Sequence, residues 1–121
     1  MRNGSFWKSV YHALEGIEHV VRTQRNAQIE LSITILVLAL GVFLRLDPLR
    51  WAAIVLTIGL VLAAEWFNSS IEALTDLACP DYHELAKRTK DVSAGAVLTA
   101  SVIAAVVGLL VMGPPLWRRL F

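Results

Sequence analysis

Residues 92–112 form one long apolar run without a charged side chain, and this run limits what the chain can fold into. About 20 helical residues, at about 1.5 Å each, cross the ~30 Å hydrocarbon core of a bilayer. Two shorter apolar runs, residues 31–44 and 51–64, precede it. Each of them reaches a spanning length only if its helix also includes the polar end residue, Glu30 or Glu65. We therefore expect three transmembrane helices.

Prolines mark the expected ends of these spans. Asp47 and Pro48 predict a tight turn that makes a hairpin of the first two spans. Pro80 is expected to end the second span, and Pro114 with Pro115 the third, because proline cannot donate a backbone hydrogen bond. A signal peptide is not expected, since the first run starts well inside the chain and further spans follow.

Ahead of the spans, apolar side chains recur every three or four residues, which predicts an amphipathic helix lying in the headgroup region. The alternative is an ordinary soluble packing helix. The expected fold is thus an all-α integral membrane protein with a single domain. Its expected elements are a surface helix at about residues 5–22 and transmembrane helices at about residues 27–46, 50–77 and 90–112.

The composition excludes several other classes of protein. Hydrophobic residues make up 56% of the 121 residues and charged residues only 17%, whereas a soluble domain averages about 25% charged residues. A small soluble domain would need more polar side chains to cover its surface. The net charge of +1 does not favour a nucleic-acid partner, and the single Cys79 makes neither an intrachain disulfide nor a CxxC metal site.

The distribution of lysine and arginine predicts the orientation in the membrane. The N-terminal region and the loop before the third span share one side and hold seven basic residues: Arg2, Lys8, Arg22, Arg25, Lys87, Arg88 and Lys90. The other side holds four: Arg45, Arg50, Arg118 and Arg119. The N-terminus is therefore expected in the cytoplasm and the C-terminus outside.

A polar face at the end of the second span is the strongest functional signal. Its members fall within an arc of about 100° on a helix: Glu65, Asn68, Ser69, Glu72 and Asp76. Carboxylate and amide oxygens suit Mg²⁺, and a carboxylate at the membrane boundary can take a proton from an alcohol. The alternative is the solvated face of a helix leaving the membrane. That alternative suits Asp76 alone, but it suits Glu65 poorly, because Glu65 follows an unbroken apolar run.

A second polar cluster, residues 81–91, precedes the third span. Its basic side chains can meet phosphates and its acidic ones a metal or a ribose, but an ordinary juxtamembrane loop would carry the same charges. The chain has neither a GxxxxGK[ST] loop nor a GxGxxG loop, so a nucleotide would not be bound by either motif. Small residues in the third span, including Gly95 and Gly108, suit close helix packing in a homo-oligomer.

The polar face resembles a known signature. Glu65-x-x-Asn68-Ser69-x-Ile71-Glu72-x-x-x-Asp76 is similar to that of the small bacterial integral-membrane lipid kinases, the diacylglycerol kinase and undecaprenol kinase family. The stretches YHELAK and KDVSAGAVL, residues 82–87 and 90–98, resemble the same family. The resemblance covers roughly residues 5–112. It implies a homotrimer in the bacterial cytoplasmic membrane that transfers the γ-phosphate of Mg-ATP to a lipid alcohol.

The resemblance also implies residue roles. Glu65 would be the proton acceptor and Asn68 its catalytic neighbour, and Glu72 would hold Mg²⁺. Gln24 stands where many relatives carry a metal-binding glutamate and offers a carbonyl oxygen without charge; Glu30 would compensate for the lost charge. The implied nucleotide contacts are His12, Gln24, Glu72, Asp76, Asp81, Tyr82, His83, Lys90 and Asp91. The implied lipid contacts are Glu65, Asn26 and Glu30.

Two questions stay open at this point. The substrate is either diacylglycerol or undecaprenol, and residues 24–26 and 90–97 look somewhat closer to the undecaprenol branch. A function of another class is a non-catalytic scaffold or an ion-conducting oligomer with Glu65 in its pore. A pore needs a ring of one charge type, so the mixed cluster of acids and bases favours the kinase.

Overall fold

The computed structural model describes residues 5–121, and within them the chain forms four helices and no strand. These are α1 (Phe6–Thr23), α2 (Arg25–Leu44), α3 (Pro48–Ala78) and α4 (Glu84–Leu120). Helices α2, α3 and α4 are long and apolar enough to cross a membrane. The prediction of an all-α fold with three potential spans is thus confirmed. Arg2, which entered the charge balance, lies outside the described residues.

The bundle exposes most of its apolar side chains. Large residues on all three long helices, such as Leu36, Leu56 and Leu109, are more than two-thirds exposed. A water-soluble protein rarely shows apolar surface of this extent, so lipid is the surrounding that this surface fits. The buried apolar residues are few: Ala27, Leu44, Leu46, Ile54, Val61, Ala100 and Met112.

The turn between α2 and α3 forms as predicted. Arg45 ends α2 in the left-handed conformation, with φ 54°, and the Leu46 N–H donates to the Gly41 carbonyl at 3.3 Å. Asp47 caps α3, because its Oδ1 accepts from the Arg50 N–H at 2.9 Å. Pro48 occupies the first turn of α3, where its missing N–H is not needed. The second predicted break also holds, since α3 ends at Ala78, two residues before Pro80.

Helix α4 departs from the prediction at both ends. It begins at Glu84 and continues through Pro114 and Pro115 to Leu120, so these prolines do not end it. Proline leaves the carbonyl four residues earlier without its usual donor. For Pro115 that carbonyl belongs to Val111, and Arg50 Nη1 donates to it at 2.6 Å. This side chain from α3 replaces the missing hydrogen bond.

A sharp corner joins α1 to α2 at Gln24, whose backbone is extended. Gln28 braces this corner, because its Nε2 donates to the carbonyls of Val21 and Arg22 at 3.1 and 3.3 Å. Helix α1 buries no side chain of its own. Three of its large apolar side chains, Trp7, Tyr11 and Leu14, are more than half exposed, and Ile17 is 38% exposed. The headgroup placement expected for α1 stays a prediction.

Close contact between α2 and α3 requires a glycine at position 41. A Cβ atom at Gly41 would lie 2.6 Å from the Trp51 ring. Trp51 itself packs against the core cluster of Leu44, Ile54 and Met112 near the turn. The indole therefore has little freedom to move away.

We predict that Gly41→Ala lowers the free energy of unfolding by about 1–3 kcal/mol, the usual effect of overpacking. Thermal unfolding in detergent micelles measures this change. Gly59→Ala on α3 is the matched control, because no atom lies within 4 Å of its added Cβ. Equal stability of the two variants would contradict the close contact.

Candidate active site

The predicted polar face lies on one continuous helix, α3, and its centre is buried. Glu65 is 1% exposed and Asn68 5% exposed. Helix α3 packs most extensively against α4 and also contacts α2. A carboxylate and an amide at a lipid-facing boundary are thereby shielded by protein, as polar groups within a membrane generally are.

Glu65 opens into a cavity of about 290 Å³ between α2, α3 and α4. Its polar lining comes mainly from α2 and α3, namely Asn26, Glu30, Glu65 and Asn68. Helix α4 adds an apolar wall with one hydroxyl, made of Ala94, Val97, Leu98 and Ser101. The cavity is therefore amphiphilic, as a site for the polar end of a lipid has to be.

Two buried side-chain oxygens at this site lack a hydrogen-bond partner within the described residues. Asn68 Nδ2 donates to Glu72 Oε2 at 3.1 Å, which holds these two side chains one turn apart on α3. Within residues 5–121, Glu65 Oε1 and Asn68 Oδ1 are buried without a hydrogen-bond partner. Buried polar atoms are rarely left unpaired, since each unmet group costs about 1–3 kcal/mol. Both atoms are oxygens that can accept a hydrogen bond or bind a hard cation.

An ion pair engages Asp76, the member of this face nearest the end of α3. Lys90 Nζ is 2.6 Å from Asp76 Oδ1 and so joins the end of α3 to the start of α4. Lys87 pairs with Asp91 at 2.7 Å along α4. Exposed pairs of this kind contribute only about 0–1 kcal/mol. Their main effect is to position charged side chains next to the polar face.

The remaining predicted residues lie apart from the cavity in a single chain. His12 Nδ1 is 2.9 Å from Glu15 Oε1 on the exposed surface of α1. Gln24 is exposed at the corner between α1 and α2. Asp81 and Tyr82 are exposed in the loop before α4, and His83 caps that helix by accepting from the Leu85 N–H at 3.0 Å. One chain thus brings together Asn26, Glu30, Glu65, Asn68 and Glu72, and separately Asp76 with Lys90.

Within the described part of the chain, no three His, Cys, Asp or Glu side chains are grouped so that they could hold a metal ion. Glu72 has a hydrogen-bonded carboxylate, and Asn68 presents a free buried oxygen beside it. Mg²⁺ commonly needs only one or two protein carboxylates when substrate phosphates and water supply the other ligands. The donor set therefore fits a metal that arrives with phosphates.

Sequence reasoning missed two serines and a groove. Ser93 is buried and Ser101 lines the cavity of Glu65, and both lie in the uncharged run that predicts the third span. The hydroxyl side chains within that run were the sequence feature that could have indicated a polar contact there. Asn68 also lines a second groove of about 570 Å³ between α3 and α4, with Ala64, Phe67, Ile71, Leu85, Arg88, Thr89, Val92, Ser93 and Ala96.

Comparison with known proteins finds similarity to bacterial diacylglycerol and undecaprenol kinases. The family model of the prokaryotic diacylglycerol kinases matches residues 11–112. An undecaprenol kinase of Bacillus subtilis is 40% identical over 111 residues, covering 92% of this chain and 90% of the relative. A diacylglycerol kinase of Synechocystis is 38% identical over 109 residues, covering 89% and 62%. The diacylglycerol kinase of Escherichia coli is 33% identical over 72 residues, covering 60% and 59%.

Proposed function

The chain belongs to the prokaryotic diacylglycerol kinase family, and we propose on that basis how it acts as a lipid kinase. It is a multi-pass membrane enzyme that phosphorylates a lipid alcohol. Family membership decides against the alternative of a scaffold or an ion-conducting oligomer. The observation that carries the proposed mechanism is the buried, unpartnered Glu65 oxygen in an amphiphilic cavity.

Glu65 is the proton acceptor in this proposal. The lipid hydroxyl donates to Glu65 Oε1, and its O–H bond breaks as the oxygen bonds to the γ-phosphorus of ATP. The bond from that phosphorus to the β–γ bridging oxygen breaks, and ADP leaves. Asn26 and Glu30 line the same cavity and orient the lipid headgroup, while the α4 wall accommodates the start of the apolar chain.

Glu72 and Asn68 would provide the oxygens for Mg²⁺, with Gln24 as a neutral third donor. When bound, Mg²⁺ neutralises phosphate charge and so assists phosphoryl transfer, which depends mainly on alignment and charge stabilisation. The hydrogen bond from Asn68 Nδ2 to Glu72 fixes the rotamer of the carboxylate before the nucleotide arrives. Asn68 is in this way both a catalytic neighbour of Glu65 and a positioning residue for Glu72.

The nucleotide is proposed to lie across the end of α3 and the start of α4. Lys90 would contact phosphate oxygens, since its ammonium group is already held beside this face by Asp76. The other proposed contacts are His12, Gln24, Glu72, Asp76, Asp81, Tyr82, His83 and Asp91. Because several of these lie apart from the cavity in one chain, we assign the complete site to a homotrimer, with α1 of one protomer facing the site of another.

The enzyme is proposed to lie in the bacterial cytoplasmic membrane, with its N-terminus and active site in the cytoplasm and its C-terminus outside. The excess of lysine and arginine on the side of Glu65 supports this orientation. ATP is a cytoplasmic substrate, so the nucleotide contacts have to face the same compartment.

Undecaprenol is the proposed lipid. The undecaprenol kinase of B. subtilis is 40% identical over 111 residues, and residues 24–26 and 90–97 of this chain look somewhat closer to the undecaprenol branch. We expect the purified protein with Mg-ATP in mixed micelles to phosphorylate undecaprenol at a higher kcat/KM than diacylglycerol. Faster turnover of diacylglycerol would reassign the substrate and leave the kinase mechanism in place.

Glu65→Gln keeps the side-chain volume and removes the base. A positioned general base typically contributes ~10²–10⁴ in rate, so kcat should fall by that order on either lipid while ATP still binds. The measurement pairs steady-state turnover with ATP-binding calorimetry. Asp47→Asn, at the opposite end of α3, is the control, because it removes a carboxylate charge but keeps an oxygen that can cap the helix, and it should turn over like the wild type. Turnover of Glu65→Gln within a few-fold of wild type would rule out Glu65 as the base.

Glu72→Gln tests the metal site separately, because it keeps the shape of the side chain and removes its charge. Activity should fall, and the Mg²⁺ concentration for half-maximal activity should rise. A Mg²⁺ titration of turnover measures both. An unchanged Mg²⁺ dependence would contradict the assignment.

Gln24→Glu restores the residue typical of many relatives and should leave activity intact or lower the Mg²⁺ requirement.

A further inference from the structure

A cluster of arginines lies at the end of the bundle remote from Glu65. We call it the arginine patch and define it as Arg45, Arg118 and Arg119, carried by the end of α2 and the last turns of α4. Helix α3 begins at this end with Pro48, and the distance along its axis from Pro48 to Glu65 is ~26 Å at 1.5 Å per residue. The patch is therefore a surface separate from the proposed active site.

Charge at this end is unbalanced. The α2–α3 turn with the last turns of α4 carries four arginines and one acid, Asp47, a net charge of +3. Asp47 is already engaged, since it caps α3 and lies 3.5 Å from Arg50 Nε. Arg50 is also engaged, with its Nη1 on the Val111 carbonyl. Across residues 5–121, the three patch arginines form no ion pair.

Aromatic side chains border the patch. Trp117 and Phe121 contact each other with ring centroids 4.5 Å apart, and they are 66% and 84% exposed. The Arg119 guanidinium lies 4.8 Å from the Phe43 ring centroid. Exposed tryptophan beside arginine at the end of a spanning helix is typical of the lipid headgroup level. From the position typical of such residues, we expect the guanidinium groups at the depth of lipid phosphates.

Most of the patch lies outside the residues that the family model matches. The family model ends at residue 112, whereas Arg118 and Arg119 belong to the continuation of α4 beyond it. That continuation is held in place by Arg50, which supplies the hydrogen bond lost at Pro115. The helix thus holds Arg119 against Phe43, which lies two residues before Arg45.

We propose that the arginine patch binds the headgroup phosphates of anionic phospholipids in the leaflet opposite the active site. Guanidinium groups match phosphate oxygens with paired hydrogen bonds. The net positive charge selects an anionic lipid over a zwitterionic one, while the aromatic residues contact the upper part of the acyl chains. This lipid is a bound partner of the protein and is distinct from the substrate in the cavity of Glu65.

Titration with phosphatidylglycerol tests the proposal. The full-length protein in zwitterionic detergent is titrated with phosphatidylglycerol, or with phosphatidylcholine of the same acyl chains, and bound lipid is counted by native mass spectrometry. Each basic residue contributes about fivefold in affinity at an anionic surface, so Arg45→Gln/Arg118→Gln/Arg119→Gln should lose roughly 100-fold for phosphatidylglycerol. The triple lysine variant should keep most of the affinity.

Two controls make the result specific. Arg22→Gln/Lys87→Gln/Arg88→Gln removes the same charge from the other end and should reduce affinity much less. Arg118→Gln alone should lose about fivefold and leaves the other two arginines in place if the triple variant fails to fold. Equal binding of both lipids by the wild type, or equal losses in the two triple variants, would overturn the proposal. So would a patch variant that changes only the oligomeric state, which would make the patch a protein contact.

Discussion

The packing of α3 against α4 is the contact on which the rest of the structure depends. It buries Glu65 and Asn68 from one helix and Ser93 from the other, the buried polar residues in the described part of the chain. A carboxylate at a lipid boundary is tolerated only where protein surrounds it. Because lipid offers no hydrophobic drive for helices to associate, this contact rests on shape and small residues such as Ala100, which is 4% exposed.

Local sequence was sufficient to predict the helices and the turn. Spanning length follows from uninterrupted apolar residues, and the Asp47–Pro48 pair combines a cap with a first-turn proline. The face shared by Glu65, Asn68 and Glu72 follows from helical period alone. The continuation of α4 through Pro115 did not follow from local signals. The hydrogen bond that the Val111 carbonyl loses to Pro115 is replaced by Arg50, which lies 61 positions before Val111 in the chain.

For the candidate site, the sequence predicted the residue types on α3 but not the cavity in which they lie. Residue types on α3 indicated proton transfer and metal binding, and the structure sets Glu65 in one cavity with Asn26 and Glu30. That cavity is a product of three helices, so neither its volume nor its apolar α4 wall could be worked out from one segment. Gln28, which braces the corner beside Gln24, carries no motif and became visible only through its hydrogen bonds to Val21 and Arg22.

The hydrogen bond from Arg50 to the Val111 carbonyl also bears on the order of folding. An isolated α4 in lipid would hold an unpaired carbonyl at Val111, since Pro115 has no N–H to offer. That vacancy is filled only when the beginning of α3 is already in position. We therefore expect the last turns of α4 to become stable only after the α2–α3 hairpin has formed.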